Sequence, residues 1–509
     1  MRTSARWLES LASSVRNNLS SRVSTSGVNR RIAAGPRVGA HGRTSPAAPQ
    51  SSLRLELDPL RLQLFLLTIF TISRVHLHYP ILAKFRPLLL LSAVALGYVY
   101  LNPRTLTSRN VLALWPMKLV GLLAILACCS APFGLSLGGS ASFILDSFAK
   151  TIAYAFLVAM SIRHVRDLYT YVWAYVISCG ILALMCMLVF DLSEGGGAVA
   201  RLAELYTYDS NDLGVIMMIG LPLTLLLLAV DRGLKRWLLL GILLGTAATM
   251  ARSGSRGGFL GLIAVGAASL FLVKGVSVAR RVSLLAATAI ALSLAAPAGY
   301  WKQMSTILAP KSDYNYTDLE GRSAVMKRGI GYMKKYPVFG IGIWNFARAE
   351  CTISSKVDER NVNGPIRCTA PHNSFVQAGA ELGVPGLIVW LALLLGLIIA
   401  PLRMRRRIPP PWRRGSIEER FLYGATSFFP IAAIGFAVTA FFVTFAFADP
   451  IYLLAAFLAG LYVSLDVRLR SESSAGSRDR RGVTSSRSFA GWRVRGTRQQ
   501  PLHPSLNPS

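Results

Sequence analysis

Three residues in this sequence have the type and setting to handle a phosphate-bearing substrate: Arg256, Arg322 and His372. Arginine presents a planar fork of donors that grips phosphate oxygens in pairs. The turn Ala251-Arg252-Ser253-Gly254-Ser255-Arg256-Gly257-Gly258 has glycines enough for close backbone approach, and it puts Arg256 where a helix would begin. Free amides and the positive end of the helix dipole favour an anion at such a place. A guanidinium added there completes a phosphate cradle, although an arginine reaching out to lipid headgroups fits the spacing equally well. Arg322, in Glu320-Gly321-Arg322, would open the segment Ser323 to Tyr336. A cation is disfavoured at a helix start unless it meets an anion, so a plain solvated role stands beside the binding one.

His372 follows a proline and starts a segment that can be helical to about Leu382, ahead of Gly383-Val384-Pro385-Gly386. A helix N-terminus lowers a histidine's pKa and keeps the ring neutral, as a general base requires. The bland reading is a polar surface histidine. No nucleophile elbow or Ser-His-Asp spacing accompanies it. Asn211 and Asp212 precede another apolar stretch, where either could cap a helix. Asp146 and Lys150, four apart, would share a helix face and could pair. Cys351 and Cys368 lie in the same long segment as His372. A disulfide between them, formed in an oxidising compartment, is worth ~3 kcal/mol; two free thiols are the alternative. No cysteine pair has zinc-like spacing with histidines, so neither a metal site nor a cofactor is expected.

What must position these residues is a membrane domain. With 53% of residues hydrophobic and 16% charged, the chain is too apolar for a soluble multidomain enzyme. A membrane span takes about 20 mostly apolar residues, and about twelve segments fit that template. They run near Leu62–Leu82, Pro87–Leu101, Val111–Pro132, Ala141–Ile162, Leu168–Phe190, Leu213–Val230, Trp237–Met250, Gly257–Val273, Val282–Tyr300, Val384–Pro401, Phe421–Phe441 and Ile451–Leu465. Arg74, His76 and His78 interrupt the first and the second is short, so the expected number is about ten to twelve. The fold class is therefore an all-α polytopic integral membrane protein.

The excess of 55 Lys and Arg over 24 Asp and Glu is explained mostly by basic inner loops and by two Ser/Arg/Gly-rich tails, residues 1–61 and 467–509, expected to be disordered. They lack the aromatic interleaving of a nucleic-acid surface, so no nucleic-acid partner is expected. No apolar core with a cleavage-type site precedes the first span, which is expected to act as its own insertion signal. Short basic loops such as Arg403 to Arg414 stay in the cytoplasm, and both tails fall on that side. The other face receives the turn at Arg252 to Arg256, residues 191–212, and the long loop of about 301–383 within the membrane domain 62–466. In that loop Val325, Met326, Ile330 and Met333 recur at helical spacing, giving an amphipathic helix expected to lie on the membrane.

Ser255-Arg256-Gly257-Gly258; Gly321-Arg322 leading to Tyr336-Pro337-Val338-Phe339-Gly340-Ile341-Gly342-Ile343-Trp344-Asn345-Phe346; and Pro371-His372-Asn373-Ser374-Phe375 leading to Glu381-Leu382-Gly383 together resemble the O-antigen ligase and polymerase family. The resemblance runs over roughly Asn211 to Leu393, and the order of the set is more specific than any one piece. It implies a GT-C-like fold in the bacterial inner membrane with a periplasmic catalytic loop. It also implies a metal-independent, inverting glycosyltransferase that moves a glycan from undecaprenyl pyrophosphate to a hydroxyl of lipid A core or of a growing polysaccharide. In that scheme Arg256 and Arg322 hold the pyrophosphate and His372 is the base, with Arg252, Asn211 and Asn373 as supporting residues. Exopolysaccharide or O-antigen polymerisation and transfer to a protein hydroxyl share the chemistry. A secondary transporter also has about twelve spans, but the notable polar residues here gather at one surface and no internal repeat is evident.

Overall fold

The computed structural model describes residues 53–55, 57–107, 110–194, 200–202, 208–274, 276–309, 321–355 and 368–485. The basic segments expected at the two ends lie outside this range up to residue 52 and after residue 485. Twelve apolar helices fall where the sequence places spans. Eight are long and apolar enough to cross a membrane, and four shorter ones, of 10–17 residues, bring the total to twelve.

In chain order the first five are α1 (Pro59–Ser73), α2 (Pro87–Leu101), α3 (Trp115–Ser130), α4 (Leu137–Ser161) and α5 (Val165–Leu188). A short antiparallel ribbon follows, β1 (Leu192–Glu194) against β2 (Ala200–Leu202), the only strands among the described residues. Then come α6 (Asp212–Val230), α7 (Leu234–Ser253), α8 (Arg256–Leu272) and α9 (Val278–Ala295). Between α9 and the next span lie α10 (Arg322–Lys335) and α11 (Phe346–Thr352). The last three are α12 (Ser374–Met404), α13 (Ile417–Ala440) and α14 (Asp449–Ser485).

Burial sorts these helices into an inner and an outer set. In α6 and α14, 83% of the most apolar window is buried, whereas in α9 only 11% is. The inner helices thus form the core of the bundle, and α9 packs few of its side chains on protein. In hydrocarbon nothing but packing and hydrogen bonding draws helices together, so close approach at small residues counts for much. Gly261 of α8 illustrates this: a Cβ there would lie 2.5 Å from Thr439 of α13.

Several sequence expectations shift. The first span is shorter than expected, because α1 stops at Ser73 and Arg74 adopts a left-handed φ of 51°. Its guanidinium sits 4.1 Å from the centre of the Tyr208 ring. The expected Asp146–Lys150 pair does not form; Ser142, one turn earlier, donates its hydroxyl to Asp146 at 2.9 Å. The Gly383 break, by contrast, stands where the sequence puts it: its φ of 72° is non-helical, so Ser374–Met404, labelled α12 as one stretch, is two helices meeting at a kink. Helix α14 continues to Ser485, into the segment expected as a tail.

The amphipathic helix exists as α10, but it turns its apolar face onto protein. Val325, Gly329 and Tyr332 are its buried residues, while Ile330 is exposed. Val325 and Tyr332 join Ile341, Phe346, Ala349, Val376 and Ala380 in a small core of their own, separate from the main one. The physical reason is length of contact: α11 and the first turns of α12 offer a protein surface to the same stripe that sequence periodicity assigns to lipid.

Candidate functional site

Each of the three residues singled out by type stands at the start of a helix. Arg256 is the first residue of α8, whose N-cap Ser255 accepts the Gly258 amide hydrogen at 3.1 Å. Just before it, Gly254 closes α7 with a left-handed φ of 58°, as the hairpin between two antiparallel spans requires. Arg322 is the first residue of α10, with no side-chain cap beside it. His372 immediately precedes Asn373, whose Oδ1 accepts the Phe375 and Val376 amides at 2.9 and 3.0 Å and so starts α12. These three helix starts supply a positive potential, two of them with a guanidinium already in place.

The loop between α13 and α14, Phe441 to Ala448, ties two of these starts to one place. His372 donates its backbone N–H to Thr444 Oγ1 at 3.1 Å. The Ser374 hydroxyl donates to the Val443 carbonyl at 2.8 Å and accepts from the Phe445 amide at 2.9 Å. Gln377 Oε1 accepts the Ala446 amide at 3.0 Å. On the other flank of the same loop, a Cβ on Gly257 would meet the Phe442 side chain at 2.8 Å. Arg256 and His372 therefore border one short stretch of chain.

A second set of contacts locks the Arg256 turn to the start of α6. The Ser255 hydroxyl donates to Asn211 Oδ1 at 2.9 Å. Asn211 does not cap α6; Asp209 does, its Oδ1 accepting the Asn211 and Asp212 amides at 2.6 and 2.8 Å. Asp212 closes the box by accepting the Asp209 amide at 2.9 Å. Arg256 itself donates through Nη1 to the Thr306 hydroxyl at 2.8 Å, and Arg252 donates to the Phe190 carbonyl at 3.1 Å. Arg252 is thus engaged with the end of α5.

The electrostatics around His372 suit a base. Burial is the main reason its pKa lies below the ordinary histidine value, the nearby Arg322 charge lowers it further, and Asp209 opposes both. The ring stays neutral and able to accept a proton at physiological pH. Its backbone is held at a φ of 45°, a left-handed value rare for a residue with a side chain.

Elsewhere in the loop, Cys351 and Cys368 are joined by a disulfide with their Cα atoms 5.1 Å apart. Glu381 accepts the Trp344 and Phe346 amides at 2.8 and 3.2 Å, which links two of the sequence motifs directly. Sequence reasoning did not find Thr444, Asp209 or Glu350. Asp209 carried a readable signal, since Asp209-Ser210-Asn211-Asp212 has the form of a helix cap. Thr444 carried none, sitting in Phe441-Phe442-Val443-Thr444-Phe445 between two apolar spans.

Fold and site together define a multi-pass, all-α membrane protein whose candidate residues gather at the loop-bearing end of the bundle. Residues 240–391 match the family model described as O-antigen ligase. That stretch contains Arg252, Arg256, Arg322, the two cysteines, His372 and Asn373, and leaves Asn211 outside. The match supports an enzyme of the O-antigen ligase and polymerase type, a glycosyltransferase-like family. No curated protein matches the chain.

Proposed function

We propose that this protein transfers a glycan from a polyprenyl pyrophosphate carrier, of the undecaprenyl kind, to an acceptor hydroxyl on the periplasmic side of the bacterial inner membrane, in the manner of a ligase. The observation that carries the proposal is the half-buried His372 at the start of α12, fastened through its backbone to Thr444, with the charge of Arg322 at the start of α10 acting on its ring. In the reaction, the acceptor oxygen bonds to the anomeric carbon as the bond from that carbon to the pyrophosphate oxygen breaks. The bonding pair leaves with the pyrophosphate, and the hydroxyl proton passes to the His372 ring. Attack opposite the leaving group inverts the anomeric centre.

Arg256 and Arg322 hold the pyrophosphate and stabilise the charge that grows on it as the bond breaks. Asn211 steadies the Arg256 turn through Ser255, and Asn373 steadies His372 by capping α12. Two guanidiniums and the helix starts behind them supply the positive charge that a divalent cation provides in other phosphoryl sites, so no metal is required in this scheme.

The test is transfer of a labelled glycan from purified lipid pyrophosphate donor in detergent, comparing the parent with His372→Ala. General-base assistance is typically worth about 10²–10⁴-fold, and a loss of that size in correctly folded protein is expected. Parental turnover by the variant would remove His372 from the mechanism. In cells, deletion should leave lipid-linked polymer unligated; an accumulation of single repeat units on the carrier would instead mark a polymerase.

A further inference from the structure

Glu350, in α11, is fully buried, and its carboxylate is the meeting point of two segments that both lead into the candidate site. Arg328 donates to it from Nε at 3.0 Å and from Nη2 at 2.6 Å, and the Tyr332 hydroxyl donates at 2.8 Å. Both donors belong to α10, the helix that Arg322 opens. From the other side the Thr369 hydroxyl donates at 3.1 Å, and Thr369 lies three positions ahead of His372. Neighbouring residues repeat the tie covalently, since Cys351 follows Glu350 and Cys368 precedes Thr369.

We propose that Glu350 is a positioning residue that fixes the placement of Arg322 relative to His372, by holding α10 with one set of hydrogen bonds and the chain entering His372 with another. The inference rests on the reading of those two residues as the leaving-group and base partners. Glu350 touches no substrate and acts only through Arg328, Tyr332 and Thr369.

The geometry asks for more than packing. Apolar contact between α10 and α12 fixes their distance but leaves rotation and sliding cheap. A forked arginine on a carboxylate fixes orientation as well. Gly329 brings α10 against Phe346 so closely that a Cβ would lie 2.8 Å from the ring, so a small slide of α10 is resisted on one side and guided by Glu350 on the other.

The charged groups facing the His372 ring are Arg322 from α10 and Asp209 from the start of α6. If Glu350 lets α10 move, Arg322 retreats while Asp209 stays, and the ring becomes easier to protonate. A role limited to stability leaves that titration alone.

The experiment follows the histidine rings by NMR during a pH titration of the full-length, detergent-purified protein labelled at its 6 histidines, with His372→Ala identifying the resonance. In Glu350→Gln the His372 midpoint is expected to move to higher pH, with kcat for transfer falling roughly 10- to 100-fold. Thr369→Val should shift the midpoint in the same direction, and Thr369→Ser should restore the parental value. Should Glu350→Gln fail to fold, the Thr369 pair decides the matter, because it leaves the Arg328–Glu350 contact in place. An unchanged midpoint in Thr369→Val and in folded Glu350→Gln overturns the proposal. If transfer turns out not to need His372, the functional reading fails, and the ring titration still answers for Glu350.

Discussion

Thr444 accepts the His372 backbone hydrogen at 3.1 Å across 72 residues of chain. That bond holds a side-chain-bearing residue in a left-handed conformation, which costs on the order of 1–3 kcal/mol and persists only where surroundings impose it. The candidate base is thus held from the loop between α13 and α14 as well as from its own helix.

Replacing Thr444 by valine keeps the shape and removes the acceptor. An unsatisfied buried amide costs about 1–3 kcal/mol, so relaxation of the His372 backbone should lower transfer roughly tenfold or more. Thr444→Ser should stay near the parent. Equal rates for the valine and parent proteins would show that His372 does not depend on this bond.

The pH dependence has a definite sign. A general base works as the neutral ring, and burial with Arg322 holds the His372 pKa below its ordinary value of about 6.5. The rate should therefore rise with pH through a midpoint below that value and be flat above it. An acid limb centred above about 6.5 in kcat/KM, which reports the unliganded enzyme, would contradict the lowered pKa.

Gly257→Ala tests the contact between the Arg256 turn and the loop that carries Thr444. The added methyl would meet the Phe442 ring, with contacts of 2.8 Å to its atoms, so the turn or the loop must move. Overpacking of this kind costs about 1–3 kcal/mol, and both donor affinity and turnover should fall. Steady-state kinetics against donor concentration would read both, and an unchanged KM with unchanged kcat would exclude the coupling.

Glu381→Ala leaves the Trp344 and Phe346 amides without their acceptor. Each unpaired amide costs about 1–3 kcal/mol, so the detergent-solubilised protein should lose thermal stability and become easier to cleave near Trp344. Protease digestion followed by mass analysis reads the position, and cleavage confined to other sites would refute the link.

In the proposed mechanism arginines and helix starts carry the leaving-group charge, and it predicts that transfer is undiminished in excess chelator. Loss of activity that added magnesium restores would assign that role to a metal instead.

The sequence made the helices legible and left the ties between them hidden. Long apolar runs mark spans irrespective of neighbours, and Arg256, Arg322 and His372 show themselves because a cation or an imidazole beside a helix start is unusual. Asn211 could be seen as a cap, yet its side chain reaches Ser255 while Asp209 does the capping. That difference turns on which oxygen faces which turn, a matter of tertiary packing. Arg74 likewise looked only like an interruption of a span, and its partner Tyr208 lies far along the chain. Periodicity found α10 but could not say that its apolar stripe meets α11 and α12 in place of lipid.

The clasp on Phe441 to Ala448 bears on how this site could be moved or divided. The stretch that matches the family model stops at residue 391, but Thr444 lies beyond it and Asp209 ahead of it. Excised as a cassette, residues 240–391 would carry His372 without the hydroxyl that holds its backbone and Ser255 without the amide it donates to. Chimeras that exchange only the long loop between related proteins should therefore inherit the recipient's geometry at the histidine, and a transplant meant to carry specificity has to bring the last two helices and their connection with it.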